Sequence, residues 1–397
     1  MYFQSSSVER ITLSIPVYLD YNATTPVASE VFDEMEPWLR GGFGNPSSAH
    51  LYGRAAREAV ERARTSVAGL LGAEPAEIIF TSGGTESNNL ALIGSARALR
   101  PRGRHLVTTA VEHPAVLEVC RWLERAEGFD LTVVPVDGAG RVDPEGIRRA
   151  LRPDTVLVSV MHANNEVGTV QPIAAVSAIC RTAGVLLHSD AAQSAGKIPV
   201  DVNALGVDLL TAAGHKLYAP KGVGALYVRR GIQLEPVFFG AGQEGGRRPG
   251  TENVPYIAGL GRACALATAE REDRPARLRW TRDLLWELLA AQVPDIRRHG
   301  PVPPEDGPAT VLPNTLSIGF GGLLVSDLLA ALPEVAASAG AACHGAGGKP
   351  SATLAAMGVP ERYALGTIRF STGRQTTEAE IREAAAAVAA AVRRLRG

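Results

Sequence analysis

Val207-Asp208-Leu209-Leu210-Thr211-Ala212-Ala213-Gly214-His215-Lys216 decides how the chain is read. An apolar run of strand length ends in a glycine and delivers a lysine to the carboxyl end of a buried strand, where an amine can form a Schiff base. The chain has only four lysines, at 197, 216, 221 and 349, among 40 basic residues. A lysine at that place therefore carries more information than usual. Upstream, Val185-Leu186-Leu187-His188-Ser189-Asp190-Ala191-Ala192-Gln193 forms a second apolar strand that ends in a carboxylate. An aspartate that can pair with a pyridinium nitrogen and a lysine that can bond an aldehyde are the minimal protein equipment for pyridoxal phosphate. Taken singly, Lys216 reads equally well as a solvated loop lysine and Asp190 as a turn residue.

On both sides of this stretch, short β-branched runs alternate with Ala-, Arg- and Glu-rich stretches over residues 60–230, the pattern of a mainly parallel sheet covered by helices. The spacing predicts strands over 77–80, 106–109, 131–134, 156–160, 185–187 and 224–228, and helices over 55–71, 87–99, 114–126 and 173–183. In such α/β sheets ligands collect at the carboxyl ends of the strands. A glycine-rich stretch, 239–250, precedes a long helix read from 254 through Pro275 to 289, and the Pro-rich stretch 301–313 reads as a linker. Beyond it, apolar runs at 315–320 and 367–370 and a terminal helix over 378–395 read as a smaller α+β unit.

At 397 residues the chain is too long for one simple core. We divide it into an N-terminal segment 1–17, in which Tyr2-Phe3-Gln4-Ser5 reads as the remnant of a cleavable tag, a large domain 18–265 and a small C-terminal domain 266–397. A net charge of −1, from 40 basic and 41 acidic residues, gives no electrostatic reason to expect a nucleic acid or an anionic membrane as partner. No apolar run is long enough to span a bilayer. The four cysteines, 120, 180, 264 and 343, show neither C-x-x-C spacing nor the density of a disulfide scaffold, which points to a reducing cytoplasm.

Several constellations carry chemistry. Thr81-Ser82-Gly83-Gly84-Thr85-Glu86-Ser87 joins a strand to a helix and leaves free backbone N–H groups at the positive end of the helix dipole, where a phosphate binds. The G-x-x-x-x-G-K-[ST] pattern is absent, which disfavours a nucleoside triphosphate. His113, after a strand, is placed to stack on an aromatic ring or move a proton. Met161-His162-Ala163-Asn164-Asn165-Glu166-Val167-Gly168 puts many polar groups at the end of another buried strand. Buried polar groups need partners, which a ring oxygen or a carboxylate can supply. Cys120, Cys180 and Cys264 lie in apolar helical surroundings and read as inert. Cys343, in the small-residue stretch Ser338-Ala339-Gly340-Ala341-Ala342-Cys343-His344, reads as accessible, with His344 and Lys349 near enough in sequence to favour its thiolate. Arg369 suits a bidentate pair with a substrate carboxylate.

As a set these motifs resemble the cysteine desulfurases and selenocysteine lyases, the class V branch of the fold-type I pyridoxal phosphate enzymes. Also carrying the resemblance are Tyr18-Leu19-Asp20-Tyr21-Asn22-Ala23-Thr24-Thr25-Pro26, Phe43-Gly44-Asn45-Pro46-Ser47-Ser48 and Arg248-Pro249-Gly250-Thr251-Glu252-Asn253. It implies an α/β fold whose large domain holds a mainly parallel seven-stranded sheet between helices, with a smaller α+β domain carrying the Cys343 loop. It implies that Lys216 forms the Schiff base, Asp190 keeps the ring nitrogen protonated and His113 stacks over the ring. Gln193 and Asn165 would bond the cofactor oxygen or substrate carboxylate, and Arg369 the substrate carboxylate. Gly84, Thr85, His215 and, from a second subunit, Thr251 would hold the phosphate, so the expected assembly is a homodimer with shared active sites. Many desulfurases have serine where this chain has Ala213. A hydrogen bond to a charged group contributes roughly 1.5–3 kcal/mol, so cofactor affinity is expected to be lowered without being abolished.

The implied reaction converts L-cysteine to L-alanine and leaves the sulfur on Cys343 as a persulfide for a sulfur-acceptor protein, iron–sulfur cluster assembly being one such use. Selenocysteine lyase is the alternative that the same motifs leave open. A non-catalytic scaffold is at odds with Lys216, Asp190, His113 and Cys343 occurring together, and an ordinary aminotransferase leaves Cys343 without a role.

Overall fold

A computed structural model describes residues 15–302, 310–339 and 349–397. Its centre is a seven-stranded sheet in the order β2-β8-β7-β6-β5-β3-β4, built from β2 (Ile78–Thr81), β3 (His105–Thr109), β4 (Asp130–Val134), β5 (Thr155–Ser159), β6 (Leu186–Asp190), β7 (Leu209–Ala213) and β8 (Gly224–Val228). The pairs β3–β4, β3–β5, β5–β6 and β6–β7 are parallel, and β8 runs antiparallel to both β2 and β7. Every residue of β2, β3, β5, β7 and β8 is buried. A strand covered on both faces cannot alternate apolar and polar residues, which is why these strands read as continuous apolar runs.

Helices fill both faces. The helix Leu51–Leu71 buries Ala56, Ala59, Val60, Ala63, Val67 and Leu71 along one stripe and packs against the helix Val254–Ala269. The approach is close, since a Cβ at Gly261 would stand 2.5 Å from the Ala63 Cα. The main core so formed runs from Tyr21 to Cys264. A second core joins Leu285, Leu289 and Val293 to the antiparallel sheet of β9 (Ile296–His299), β10 (Thr315–Phe320) and β12 (Thr367–Ser371) and to the terminal helix Glu378–Arg396. It also takes Val17 and Leu19, because β1 (Val17–Tyr18) pairs in parallel with β11 (Val335–Ala336).

Two expectations need correction. The helix read straight through Pro275 is two helices, Val254–Ala269 and Asp273–Gln292, broken at 270–272. Pro275 sits in the first turn of the second, where its missing N–H would have had no helical partner. The linker read over 301–313 is tied down at its far end: Thr310 O accepts from Val170 N at 2.8 Å and Leu312 N donates to Gly168 O at 2.8 Å. Residues 303–309 lie outside the described residues.

Candidate active site

The parallel strands point their carboxyl ends to one edge of the sheet. Along that edge a cavity of about 720 Å3 is lined by residues following β2 (Gly84, Thr85), β3 (His113), β5 (Met161, Asn165), β6 (Asp190, Gln193) and β7 (His215, Lys216), with Asn22, Asn88, Ser338 and Arg369 closing it. Gly84, Thr85, His113, Asn165, Asp190, Gln193, His215, Lys216 and Arg369, all singled out from sequence, thus share one cavity. Thr251 does not line it; it borders a separate cavity of about 420 Å3 with Glu86, Phe238 and Phe239. Cys343 and His344 lie outside the described residues, but Ser338, shortly before that segment, is on the cavity wall.

The helix Gly84–Leu99 begins at the cavity with no side-chain cap on its first N–H groups. Gly83, at φ 148°, makes the turn that aims it there. An uncapped helix start is an anion site by both hydrogen bonding and dipole. Ala213 lies alongside, its Cβ 3.3 Å from where a Cβ on Gly84 would stand, so an apolar methyl flanks this cradle.

Asp190 ends β6 at 5% exposure. Its Oδ2 accepts from Asn88 Nδ2 at 2.7 Å and its Oδ1 from the Ala192 N–H at 2.9 Å. Those bonds fix the carboxylate for a partner in the cavity. The Lys216 amine donates to the main-chain oxygens of Asn22 and, at 2.7 Å, Ala23. Burial, reinforced by the positive Arg369, brings its pKa down to about 8. An amine so placed is neutral in a substantial fraction near physiological pH, as nucleophilic and proton-abstracting roles need.

His113 caps the helix Pro114–Glu127 by accepting the Ala115 N–H at its Nδ1, 3.1 Å away. Its neutral form therefore carries its proton on Nε2, and burial holds its pKa below the usual value. His215 is brought down to about 4, chiefly by burial, and its Nδ1 lies 3.1 Å from Thr24 Oγ1. It is neutral at working pH, a hydrogen-bonding group and not a cation.

Arg369, on β12, reaches the cavity from the small sheet. Its guanidinium pairs with Asp20 at 2.8 Å and donates to Asn165 O at 3.0 Å, while its buried Nε has no partner. An unpaired buried donor is costly, and a ligand oxygen would satisfy it. The other cysteines answer to the expectation of inert residues: Cys120, Cys180 and Cys264 are buried, and burial pushes each thiol up to about 12.

Asn22, Asn88 and Lys197 were not singled out in the sequence, yet Asn22 alone joins Lys197, Thr315, Asn314 and Asn165. Among the described residues no cluster of histidine, cysteine and acidic side chains is arranged for a metal. A buried lysine of lowered pKa, a fixed carboxylate, an uncapped helix start and a spare guanidinium N–H in one cavity fit pyridoxal phosphate bearing an amino acid.

Comparisons with known proteins agree with this geometry. Residues 17–383 match the family described as aminotransferase class-V. A protein named cysteine desulfurase IscS from Dictyoglomus turgidum is 46% identical over 92% of this chain and 91% of its own. A solved structure titled NifS-like protein superposes with TM-score 0.87 at 38% identity, covering 95% of this chain and 99% of that one. Another, titled SspA in complex with cysteine, has TM-score 0.78 at 37% identity over 89% and 98%. The chain belongs to the class-V aminotransferase family, in the group of the cysteine desulfurases.

Proposed function

We propose that this protein is a pyridoxal phosphate-dependent cysteine desulfurase that converts L-cysteine to L-alanine and holds the released sulfur on Cys343 as a persulfide. The observation that carries the reading is the convergence of Lys216, Asp190 and the uncapped helix start at Gly84 on one cavity. The names of the relatives agree with it.

When bound, pyridoxal phosphate supplies an aldehyde for amines and an electron sink for the substrate α carbon. The chain supplies the rest. Gly84 and Thr85 N–H groups would receive the phosphate, with His215 as a neutral partner. Asp190, fixed by Asn88, would keep a proton on the ring nitrogen. Arg369 takes the substrate carboxylate through its unpaired Nε, and Asn165, whose oxygen that guanidinium already holds, helps seat it. Lys216, with a pKa of about 8, removes the α proton and returns it. His113, on the cavity wall with its proton on Nε2, would stack on the ring and pass that proton. The Cys343 thiolate attacks the substrate sulfur: the substrate C–S bond breaks, an S–S bond forms, and the β carbon gains a proton to become the alanine methyl. L-cysteine plus the thiol thus gives L-alanine plus the persulfide, with no outside oxidant.

Ser338 on the cavity wall supports this use of Cys343, since it stands only five positions before that residue in sequence. We read the chain as a large cofactor-holding part, 18–265, and a smaller part, 266–397, that brings Arg369 and Cys343. A homodimer, with Thr251 acting on the partner's phosphate, accounts for a threonine that borders a different cavity from its own Lys216. A cytoplasmic protein fits the free thiols, and among the described residues no helix is long and apolar enough to cross a membrane. A sulfur-acceptor protein completes the cycle.

The test is alanine release from L-cysteine in the presence of a thiol reductant. The wild type is expected to form alanine and sulfide in equal amounts, and Lys216→Ala to slow this by at least about 10²–10⁴-fold, the usual contribution of a positioned acid–base group. Turnover of L-selenocysteine without turnover of L-cysteine would overturn the reading.

A further inference from the structure

Lys197 has no part in the reaction above, yet it is bonded to two residues of the cavity wall. The side chain is 7% exposed, and its Nζ donates to Asn22 Oδ1 and to Gln193 Oε1, each at 2.9 Å. Burial takes its pKa well below the usual value, and the positive Lys216 and Arg369 act in the same direction. A neutral amine has two hydrogens to give, matching the two acceptors, whereas an ammonium would have a third to satisfy.

Both acceptors belong to the cavity wall. A glutamine amide has no intrinsic preference between its two orientations, so a neighbour must choose. With Oε1 taken by Lys197, the NH2 of Gln193 is the end turned away: Nε2 donates to Asn22 O at 2.9 Å and keeps a second hydrogen. Asn22 is fixed by the same lysine. Its Oδ1 also accepts from Asn314 Nδ2 at 3.0 Å, its Nδ2 donates to Thr315 Oγ1 at 2.8 Å, and its main-chain oxygen accepts Lys216 Nζ. One buried amine thus touches the residue that receives the Schiff-base lysine and the amide that faces the cofactor.

We propose that Lys197 is a positioning residue of this site, holding the Gln193 amide with its NH2 available to an acceptor oxygen of the cofactor and holding Asn22 by its side-chain Oδ1, the residue whose main-chain oxygen seats Lys216. This rests on reading the cavity as a pyridoxal phosphate site. Lys197→Met keeps the length and apolar stem while removing both donors, and Gln193→Ala removes the amide through which Lys197 acts.

The holoenzymes of wild type, Lys197→Met, Gln193→Ala and the double variant are compared for cofactor loss on dialysis, for the pH at which the bound cofactor's visible absorption changes, and for thermal unfolding. Lys197→Met is expected to remain folded but to retain cofactor roughly tenfold less well, the size of one lost hydrogen bond at a buried site. Its absorption midpoint is expected to shift in the same direction as in Gln193→Ala, and the double variant to fall short of the sum of the two single effects, as residues that share a contact require. Additive effects, or wild-type cofactor retention and absorption in Lys197→Met, would overturn the proposal. Should the methionine variant fail to fold, Lys197→Gln, which keeps a donor amide, is expected to retain cofactor better than Gln193→Ala, and equal loss would overturn it. A wild-type protein that takes up no pyridoxal phosphate would overturn the cavity reading together with this proposal.

Discussion

Glu112 shows at the scale of one residue how burial sets chemistry next to the site. Its Oε1 accepts from Thr109 Oγ1 at 2.7 Å and from the Met161 N–H at 2.8 Å, while its Oε2 is buried without a partner. Burial pushes its pKa up from 4.5 to about 8. The folded protein therefore prefers the neutral acid. This preference costs nothing below pH 4.5, where the unfolded chain is protonated too, and it costs progressively more stability as pH rises to about 8. Glu112→Gln, which mimics the neutral acid, should lose less stability than the wild type across that window, by on the order of 1–3 kcal/mol at the alkaline end. Denaturant unfolding at a series of pH values checks this; parallel stability curves would contradict it. The sequence pointed to His113 and passed over its neighbour Glu112, and it likewise passed over Asn22, Asn88 and Lys197. Their roles depend on partners far away in the chain, Asn88 on Asp190 across 102 positions and Lys197 on Asn22 across 175. A polar residue has no pattern of its own that announces such a partner.

At the scale of elements, the turn between β2 and its helix is held by a close approach. A Cβ on Gly224 of β8 would stand 2.7 Å from Gly83 Cα and 2.8 Å from Ala212 O, both main-chain atoms that cannot move aside cheaply. Gly224→Ala is expected to push this turn, and with it the uncapped start of Gly84–Leu99, away from the cavity. It should lower stability by about 1–3 kcal/mol, the usual size of an overpacking penalty, and weaken cofactor retention as well. Unfolding and dialysis measurements read the two effects, and a stable variant that keeps its cofactor would contradict the account. Elements of this part were legible to within a few residues, because doubly covered strands give unbroken apolar runs and amphipathic helices give their stripes. The ends were less so. The helix expected from 87 starts at Gly84, because Gly-Thr-Glu reads as a turn, and that expected from 55 starts at Leu51, capped by His50 Nδ1 accepting the Gly53 N–H at 3.3 Å. The break at 270–272 escaped because Glu270-Arg271-Glu272 carries no glycine or proline to mark it, while Pro275 lies inside the next helix.

At the scale of the whole molecule, Thr251 borders a cavity whose wall carries two exposed rings. Phe239 is 85% exposed, and Phe238 beside it is exposed too. Arg248 binds Glu86 at 2.7 Å and fixes the Thr251 segment against the first turn of the helix Gly84–Leu99. A second copy of the chain would cover these rings and bring Thr251 to the partner's site. The protein should therefore sediment at twice the chain mass of 41.7 kDa. Replacing Phe239 with a charged residue should yield monomers that lose cofactor; a wild type that sediments as a monomer with full activity would contradict this. Such an assembly was implied by resemblance and not by composition, because an interface written in scattered aromatic residues has no sequence period.

The most direct measurement is peptide mass analysis after brief exposure of the holoenzyme to L-cysteine. The account predicts one added sulfur on the peptide containing Cys343, removed by a thiol reductant and absent from Lys216→Ala. A cofactor-loaded protein that releases alanine from L-cysteine while Cys343 stays unmodified would contradict it.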